Sequence, residues 1–333
     1  MSLPVPQSLP DFTRMFPDEA ACVAYLTRLR WPDGNVCGGR CGEANYSRYE
    51  GGRVVYCRSC RRKVNVTAGT ILHRSHAPIL TWFFAAFLAT TLTPGISAVQ
   101  LGHQLGIREE TAFQMLHKLR SAMVSVDREA LKGTVEADET YVGGVQKGGT
   151  VGRSTDGRTL VLGVVEVRTS AGGERHAGRV RLRVSPDAGA TSIDEFFADN
   201  VAKGARVRTD GWPGYTNLKK RGYRHDPTTV GDDPANASSL FPSIHREFSL
   251  LKTWLAGTHH GRVERQHLQA YLNEFCFRHN RRFWRFSAFQ RVLQIGMTRR
   301  GPTYEAIYGA DEYGRDVHMN GHVELSRTIA KDA

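Results

Sequence analysis

The stretch "VEADETYVGG", residues 135–144, decides how the chain is read. Its alternation predicts a strand with Asp138 inside it, sharing a face with Glu136 and Thr140 while Glu139 points the other way. An acid within an apolar strand is costly unless it is paired or bound to a metal. Further along, "ARVRTDGWPGY" (205–215) predicts a second strand with Asp210 at its very end, before a Gly-Trp-Pro turn. Ligands collect at the carboxyl ends of strands in such sheets. An aspartate capping a turn is the competing role for each, and for Asp210 alone it is the plainer one. The two together, on neighbouring strands, are the start of a divalent-metal site.

Working outward, "TLVLGVVEVR" and "GRVRLRVSP" add two strands, "SIDEFFADNVA" a helix, and the chain reads mainly as helix from about 244 to 297. Three strands, a helix, a strand and further helices predict a mixed α/β domain over 131–300, with a central sheet flanked by helices. Ahead of it lie an arm and helix (1–30), a Gly-, Cys- and Arg-rich segment of short strands (31–72) and an all-helical region (73–130). A polar tail (301–333) follows.

Four of the six cysteines cluster. Cys37 and Cys41 are separated by three residues, Cys57 and Cys60 by two, and fifteen residues lie between the pairs. Two such turns can converge into a closed tetrahedral thiolate site for structural zinc, as in zinc ribbons. Arg40, Arg48, Arg53, Arg58, Arg61, Arg62 and Lys63 surround it and suit phosphate contacts. Cys22 and Cys276 sit in apolar helical contexts and read as core. The helical segment "ISAVQLGHQLGIREETAFQMLHKLR" fits a helix-turn-helix, its first helix ending near Gly106 and its second starting at Arg108–Thr111, with Lys118 and Arg120 near its end. Core packing of a helical hairpin is the competing account.

Lys and Arg number 45 against 33 Asp and Glu, a formal charge of +12. That surplus points to a polyanion, nucleic acid before an acidic membrane surface. No segment has the ~20 uninterrupted apolar residues that span a bilayer; "APILTWFFAAFLATTLTPG" is broken by Pro94 and Gly95 and reads as a buried helix. With no basic-then-apolar start, a cytoplasmic setting is expected.

At this point the chain resembles the DDE-type insertion-sequence transposases of the subgroup with an N-terminal zinc ribbon. The matching segments are "CRSCRRKVNVTAGTILHRSHAPILTWF", "VEADETYVGG", "VRTDGWPGY", "FSLLKTWLAGTHHG" and "HLQAYLNEFCFRHNRR", spanning roughly residues 37–282. The resemblance implies a ribonuclease-H-like core, two divalent ions (Mg2+ or Mn2+) and in-line attack on phosphodiesters at transposon ends. It implies double-stranded DNA as partner, both terminal inverted repeats and target. Synapsis of two ends makes a homodimer or larger assembly the expectation, and the setting a bacterial nucleoid.

The family's third catalytic residue is usually Glu, with a Lys seven residues later on the same helix. Counting back from Lys252 gives His245, and 34 residues separate it from Asp210. Seven residues turn a helix by about 700°, so His245 and Lys252 share a face. Glu247 lies far round the helix, and Glu274 falls on a different one; both stay as alternatives. Imidazole suits manganese better than magnesium. The implied catalytic set is Asp138, Asp210, His245 and Lys252, with Lys252 near a phosphate. Arg262, His259, His260 and Arg265 are read as backbone contacts or local structure. In "FRHNRRFWRF" the arginines Arg278, Arg281, Arg282 and Arg285 are expected to face phosphates while Phe and Trp pack inward. Two other readings compete with the transposase. One is a zinc-ribbon regulator, a catalytically impaired derivative that holds DNA without cutting it. The other is a nuclease of the same fold acting on RNA–DNA hybrids, against which the ribbon and helical region argue.

Overall fold

A computed structural model describes residues 3–34, 36–37, 41, 46–48, 52–125, 127–143, 158–228, 239–261 and 263–309. The chain forms two compact units, one of residues 1–125 with 281–333, the other of residues 126–280.

The first unit opens with helices α1 (Leu9–Met15) and α2 (Glu19–Arg30), capped by the side chains of Ser8 and Asp18. A three-stranded antiparallel sheet follows, β1 (Tyr46–Arg48), β2 (Val54–Cys57) and β3 (Lys63–Asn65). Helix α3 (Ile79–Thr91) is the apolar segment read as a buried helix, and it buries Trp82, Phe83 and Phe87. Phe12 and Phe16 meet Phe87 and Phe83 at ring separations of 4.8 Å each. Helix α4 (Ala98–Leu105) ends at Gly106, whose φ of 63° is the left-handed geometry a side chain resists. Helix α5 (Glu109–Ser121) comes next, so the hairpin turns where the sequence predicts. No helix among the described residues is long and apolar enough to cross a membrane.

The second unit is a five-stranded mixed sheet of β4 (Thr134–Val142), β5 (Thr159–Thr169), β6 (Arg175–Ser185), β7 (Arg206–Thr209) and β8 (Arg224–Pro227), in the order β6-β5-β4-β7-β8. The first three strands are antiparallel neighbours; β7 runs parallel to β4, and β8 to β7. Helix α6 (Ala190–Asn200) and a 3-10 turn (Pro213–Leu218) cover one face, where Phe196, Phe197, Tyr215 and Leu218 meet Val135, Ala137, Leu162, Val164 and Val207. Helices α7 (Pro242–His259) and α8 (Arg265–His279) cover the other, where Ile244, Phe248, Leu251, Leu272 and Phe275 meet Val161, Val165, Val180 and Leu182. Each fully buried Leu, Phe or Ile of this kind contributes about 1.5–3 kcal/mol. The architecture is the ribbon-plus-ribonuclease-H-like α/β fold that the resemblance implies.

Two features differ from the sequence reading. Strand β8, "RHDP", lacks apolar alternation and ends in proline; it forms at the sheet edge, where a missing N–H costs no ladder bond. Helix α9 (Arg285–Gly296) groups with the first unit rather than with the 131–300 domain, and within the segment read as a tail a short helix α10 (Tyr304–Tyr308) forms. Within that unit Phe289 packs on Phe83 at 5.7 Å.

Candidate active site

In the β4–β7 ladder Thr134 pairs with Arg206, Val135 with Val207 and Glu136 with Arg208. Carried two residues further, past the end of β7, that register brings Asp138 level with Asp210, and the Asp210 charge is felt at Asp138. Paired residues on parallel strands share a face, and neighbouring strands lie about 4.8 Å apart. Val135, Ala137 and Val207 are committed to the α6 face. Asp138 and Asp210 therefore rise on the α7 face. On the other side of β4, Gly163 pairs with Asp138.

Helix α7 brings the third group. His245 Nε2 lies 3.4 Å from Asp138 Oδ2. Burial lowers the His245 ring below the usual imidazole range; the Glu136 carboxylate opposes this and the Lys252 ammonium adds to it. The ring is therefore harder to protonate than an ordinary imidazole, which weakens the contact as an ion pair. Lys252 lies two turns along the same helix. Asp138, Thr140, His245, Ser249, Lys252 and Thr253 are among the residues lining a cleft of about 330 Å3. Partial burial lowers the Lys252 ammonium, with Arg158 adding repulsion. Asp210 does not line this cleft; its Oδ1 accepts the Trp212 backbone N–H at 3.0 Å, so the turn-capping role is real as well.

The carboxylates carry unbalanced charge. Burial pushes Asp138 up to about 6; the Glu139 backbone N–H opposes it, the Asp210 charge adds to it, and Lys252 again opposes. Burial likewise raises Glu139 to about 7, even though its carboxylate accepts the Tyr215 hydroxyl at 2.8 Å. Glu139 thus faces the 3-10 turn, as alternation predicts. Two carboxylates and an imidazole, with Lys252 as the cation acting on Asp138, form a donor set that fits a divalent cation.

The other acids of the α7–α8 layer sit elsewhere. Glu247 is 1% exposed and lies 2.9 Å from His279 Nδ1. Glu274 is also 1% exposed and lies 3.5 Å from Arg278. Neither lines the cleft; His245 does.

Sequence reading treated Glu136 only as a face partner of Asp138 and passed over Arg208 and Gly163. Glu136 is fully buried and accepts the backbone N–H groups of Ser243 at 2.8 Å and Ile244 at 3.1 Å. The available signal was a shared spacing: an acid two residues before Asp138 and an arginine two before Asp210.

In the first unit the Sγ atoms of Cys37, Cys41, Cys57 and Cys60 all lie within 4.8 Å of one another. A tetrahedral zinc with Zn–S of about 2.3 Å needs sulfurs about 3.8 Å apart, and four sulfurs gathered this closely suit the ion. The Cys57 carbonyl accepts the Arg61 N–H at 2.8 Å, closing the tight turn of one pair, with Arg61 at a φ of 60°.

Of the basic residues, Arg58 and Arg61 are exposed beside this knuckle and Arg62 is partly so. Arg108 is exposed at the amino end of α5, followed by Glu109 and Glu110. Lys118 is partly buried, which lowers its ammonium. Burial brings Arg281 down to about 10. Arg282 stacks over Phe283 at 4.7 Å. Arg40 and Arg262 fall outside the described residues, as does the Arg48 side chain. The inward packing expected for the aromatics of "FRHNRRFWRF" holds for Phe277 but not for Phe283 and Trp284, which are 73% and 67% exposed. The cause is a turn: α8 stops at His279 and α9 starts at Arg285, so the run is not one helix.

Comparison with known proteins gives two family matches. The ISXO2-like transposase domain matches residues 130–280, and the transposase zinc-ribbon domain matches residues 17–63. No curated protein matches. Among solved structures, the catalytic core domain of BIV integrase is similar at 19% identity, over 44% of this chain and 81% of that one, with a TM-score of 0.28. The two matched families lie in the order that the cysteine cluster and the Asp138–Asp210 sheet occupy along the chain, and the chain belongs to the DDE-type insertion-sequence transposases that carry an N-terminal zinc ribbon.

Proposed function

We propose that this transposase binds the terminal inverted repeats of its own insertion sequence, cleaves DNA there and joins the freed 3′ ends to target DNA. The observation behind this reading is the meeting of Asp138 with His245 at 3.4 Å, with the Asp210 charge acting on both. Asp138, Asp210 and His245 would hold divalent ions, magnesium or manganese, which stabilise the charge developing on the attacking and leaving oxygens. A neutral imidazole in the set favours manganese. Lys252, on the wall of the same cleft, places its ammonium against a phosphate oxygen and holds the scissile phosphodiester in place.

The zinc-held ribbon would present Arg58, Arg61 and Arg62 to the DNA backbone, with Arg108, Lys118, Arg262, Arg281 and Arg282 as further phosphate contacts. Two ends cut in concert need two active sites, so the working form is a dimer or larger, acting at the nucleoid in the bacterial cytoplasm.

The test is cleavage and joining of labelled DNA bearing the element's own ends, in magnesium and in manganese. Wild type should cut, while Asp138→Asn and Asp210→Ala should bind DNA and not cut. A histidine where the family usually has Glu favours one rival, a regulator that only binds. Wild type inert in both metals, with His245→Glu active, would establish that rival.

A further inference from the structure

Beneath the Asp138–Asp210 pair, the ladder carries a second pair, Glu136 with Arg208. Arg208 Nη1 donates to Glu136 Oε1 at 3.0 Å, and its Nη2 donates to the Leu240 carbonyl at 2.9 Å. Glu136 Oε2 takes the Ser243 and Ile244 backbone N–H groups. Those are the second and third residues of α7, whose own cap residue, Phe241, offers no side-chain hydrogen bond. An uncapped helix start leaves orphan N–H groups and the positive end of a dipole. A carboxylate from β4 fills both needs, and the next residue in the chain is His245. We infer that Glu136, paired with Arg208, is a positioning residue that pins the amino end of α7 so that His245 meets Asp138.

The arrangement ties the site to one stretch of ladder. Asp138 and Asp210 each sit two residues beyond a member of the clamp. The helix bearing the third group is registered by the clamp, which also holds the Leu240 carbonyl just ahead of it. Gly163, across β4 from Asp138, completes the seat: a Cβ there would lie 2.6 Å from the Phe248 ring and 3.0 Å from Ile244 Cδ1. A buried carboxylate would be an expensive way to gain stability alone. Supporting groups of this kind set ligand orientation, and a displacement near 1 Å is enough to spoil a metal site.

The inference rests on the metal reading of Asp138 and His245, and the experiment separates the two. Binding of Mn2+ alone to the full-length, zinc-loaded protein is measured by calorimetry for wild type, Asp138→Ala, Glu136→Gln, His245→Ala and the Glu136→Gln/His245→Ala double variant. Glu136→Gln keeps the shape and one acceptor, so it is the variant to use; melting temperature and amide exchange report on folding. Glu136→Gln is expected to weaken Mn2+ binding by roughly tenfold or more. It should also speed exchange at Ser243 and Ile244. In the His245→Ala background it should cost no further affinity, because it acts through His245. A merely structural residue would give additive losses, and additive losses or an unchanged affinity overturn the inference. Asp138→Ala binding Mn2+ as well as wild type, or wild type binding none, overturns the metal reading and the inference with it.

Discussion

His245 Nε2 sits 3.4 Å from Asp138 Oδ2, although 106 residues separate them in the chain. One partner comes from the middle of a strand and the other from the first turn of a helix packed on the same face. Removing the imidazole should therefore behave like removing a ligand. His245→Ala should lower strand cleavage by about 100-fold, the range in which positioned acid–base or ligating groups act. His245→Glu should cut, with its metal preference moved from manganese toward magnesium, since an oxygen replaces a nitrogen donor. Cleavage rates in the two metals check this, and an unimpaired His245→Ala would refute it.

Gly163 has no side chain because α7 lies on top of it. A Cβ would stand 2.6 and 2.7 Å from two atoms of the Phe248 ring. Gly163→Ala should destabilise the second unit by about 1–3 kcal/mol, the usual cost of overpacking. Gly163→Ala with Phe248→Leu should recover part of that loss. Urea unfolding of the two variants measures both steps.

Acid should unfold the second unit partly through Glu166. Its carboxylate is 2.6 Å from Arg179 Nη2 and accepts the Lys132 N–H at 3.2 Å. Burial acts to raise it, but Arg179 and these backbone donors outweigh burial and hold it near about 2. A folded value below the unfolded one means the stabilisation is complete above the unfolded carboxyl range. It is lost as pH falls from about 5 toward 2. Arg179 is a quarter exposed, so the expected contribution is discounted to about 2 kcal/mol. Urea midpoints between pH 7 and pH 3 should fall more steeply for wild type than for Glu166→Gln.

The ribbon should depend on its ion. The small core here buries only Val36, Val55, Cys37 and Cys57 among the described residues. So small a core does not support a fold alone, and metal binding supplies the difference. Cys57→Ser or a strong chelator should release zinc and make residues 31–66 protease-sensitive. Amide protection in β4, β5 and β6 should persist. Metal analysis with limited proteolysis checks both.

The acidic positions could be found in the sequence because alternation within "VEADETYVGG" and the strand-ending "RTDG" are local patterns, and a strand's period of two assigns faces without tertiary information. Cysteine spacing is local in the same sense. His245 came from the family pattern that the resemblance implies, a third residue seven before a lysine, and both His245 and Lys252 line the cleft. Strand β8 was not foreseeable: "RHDP" has no strand pattern and pairs only because β7 offers an edge. The outward turn of Phe283 and Trp284 was hidden for a related reason, since a helix break in a run of arginines and aromatics carries no Gly or Pro to mark it.

By itself, then, the amino-acid order determined which residue types stand on which face of each element, because backbone geometry converts short-range spacing into direction. It was sufficient to bring out the cysteine spacing and the two strand acids, whereas the histidine on its helix needed the family pattern as well. Only the tertiary structure decided that Glu136 serves α7 rather than the cleft, that Glu247 and Glu274 bind His279 and Arg278 rather than the site, and that Gly163 clears the seat for Phe248. Those outcomes depend on which buried charge meets which partner across tens of residues. Burial makes an unpaired charge costly, and local spacing carries no information about who the partner is.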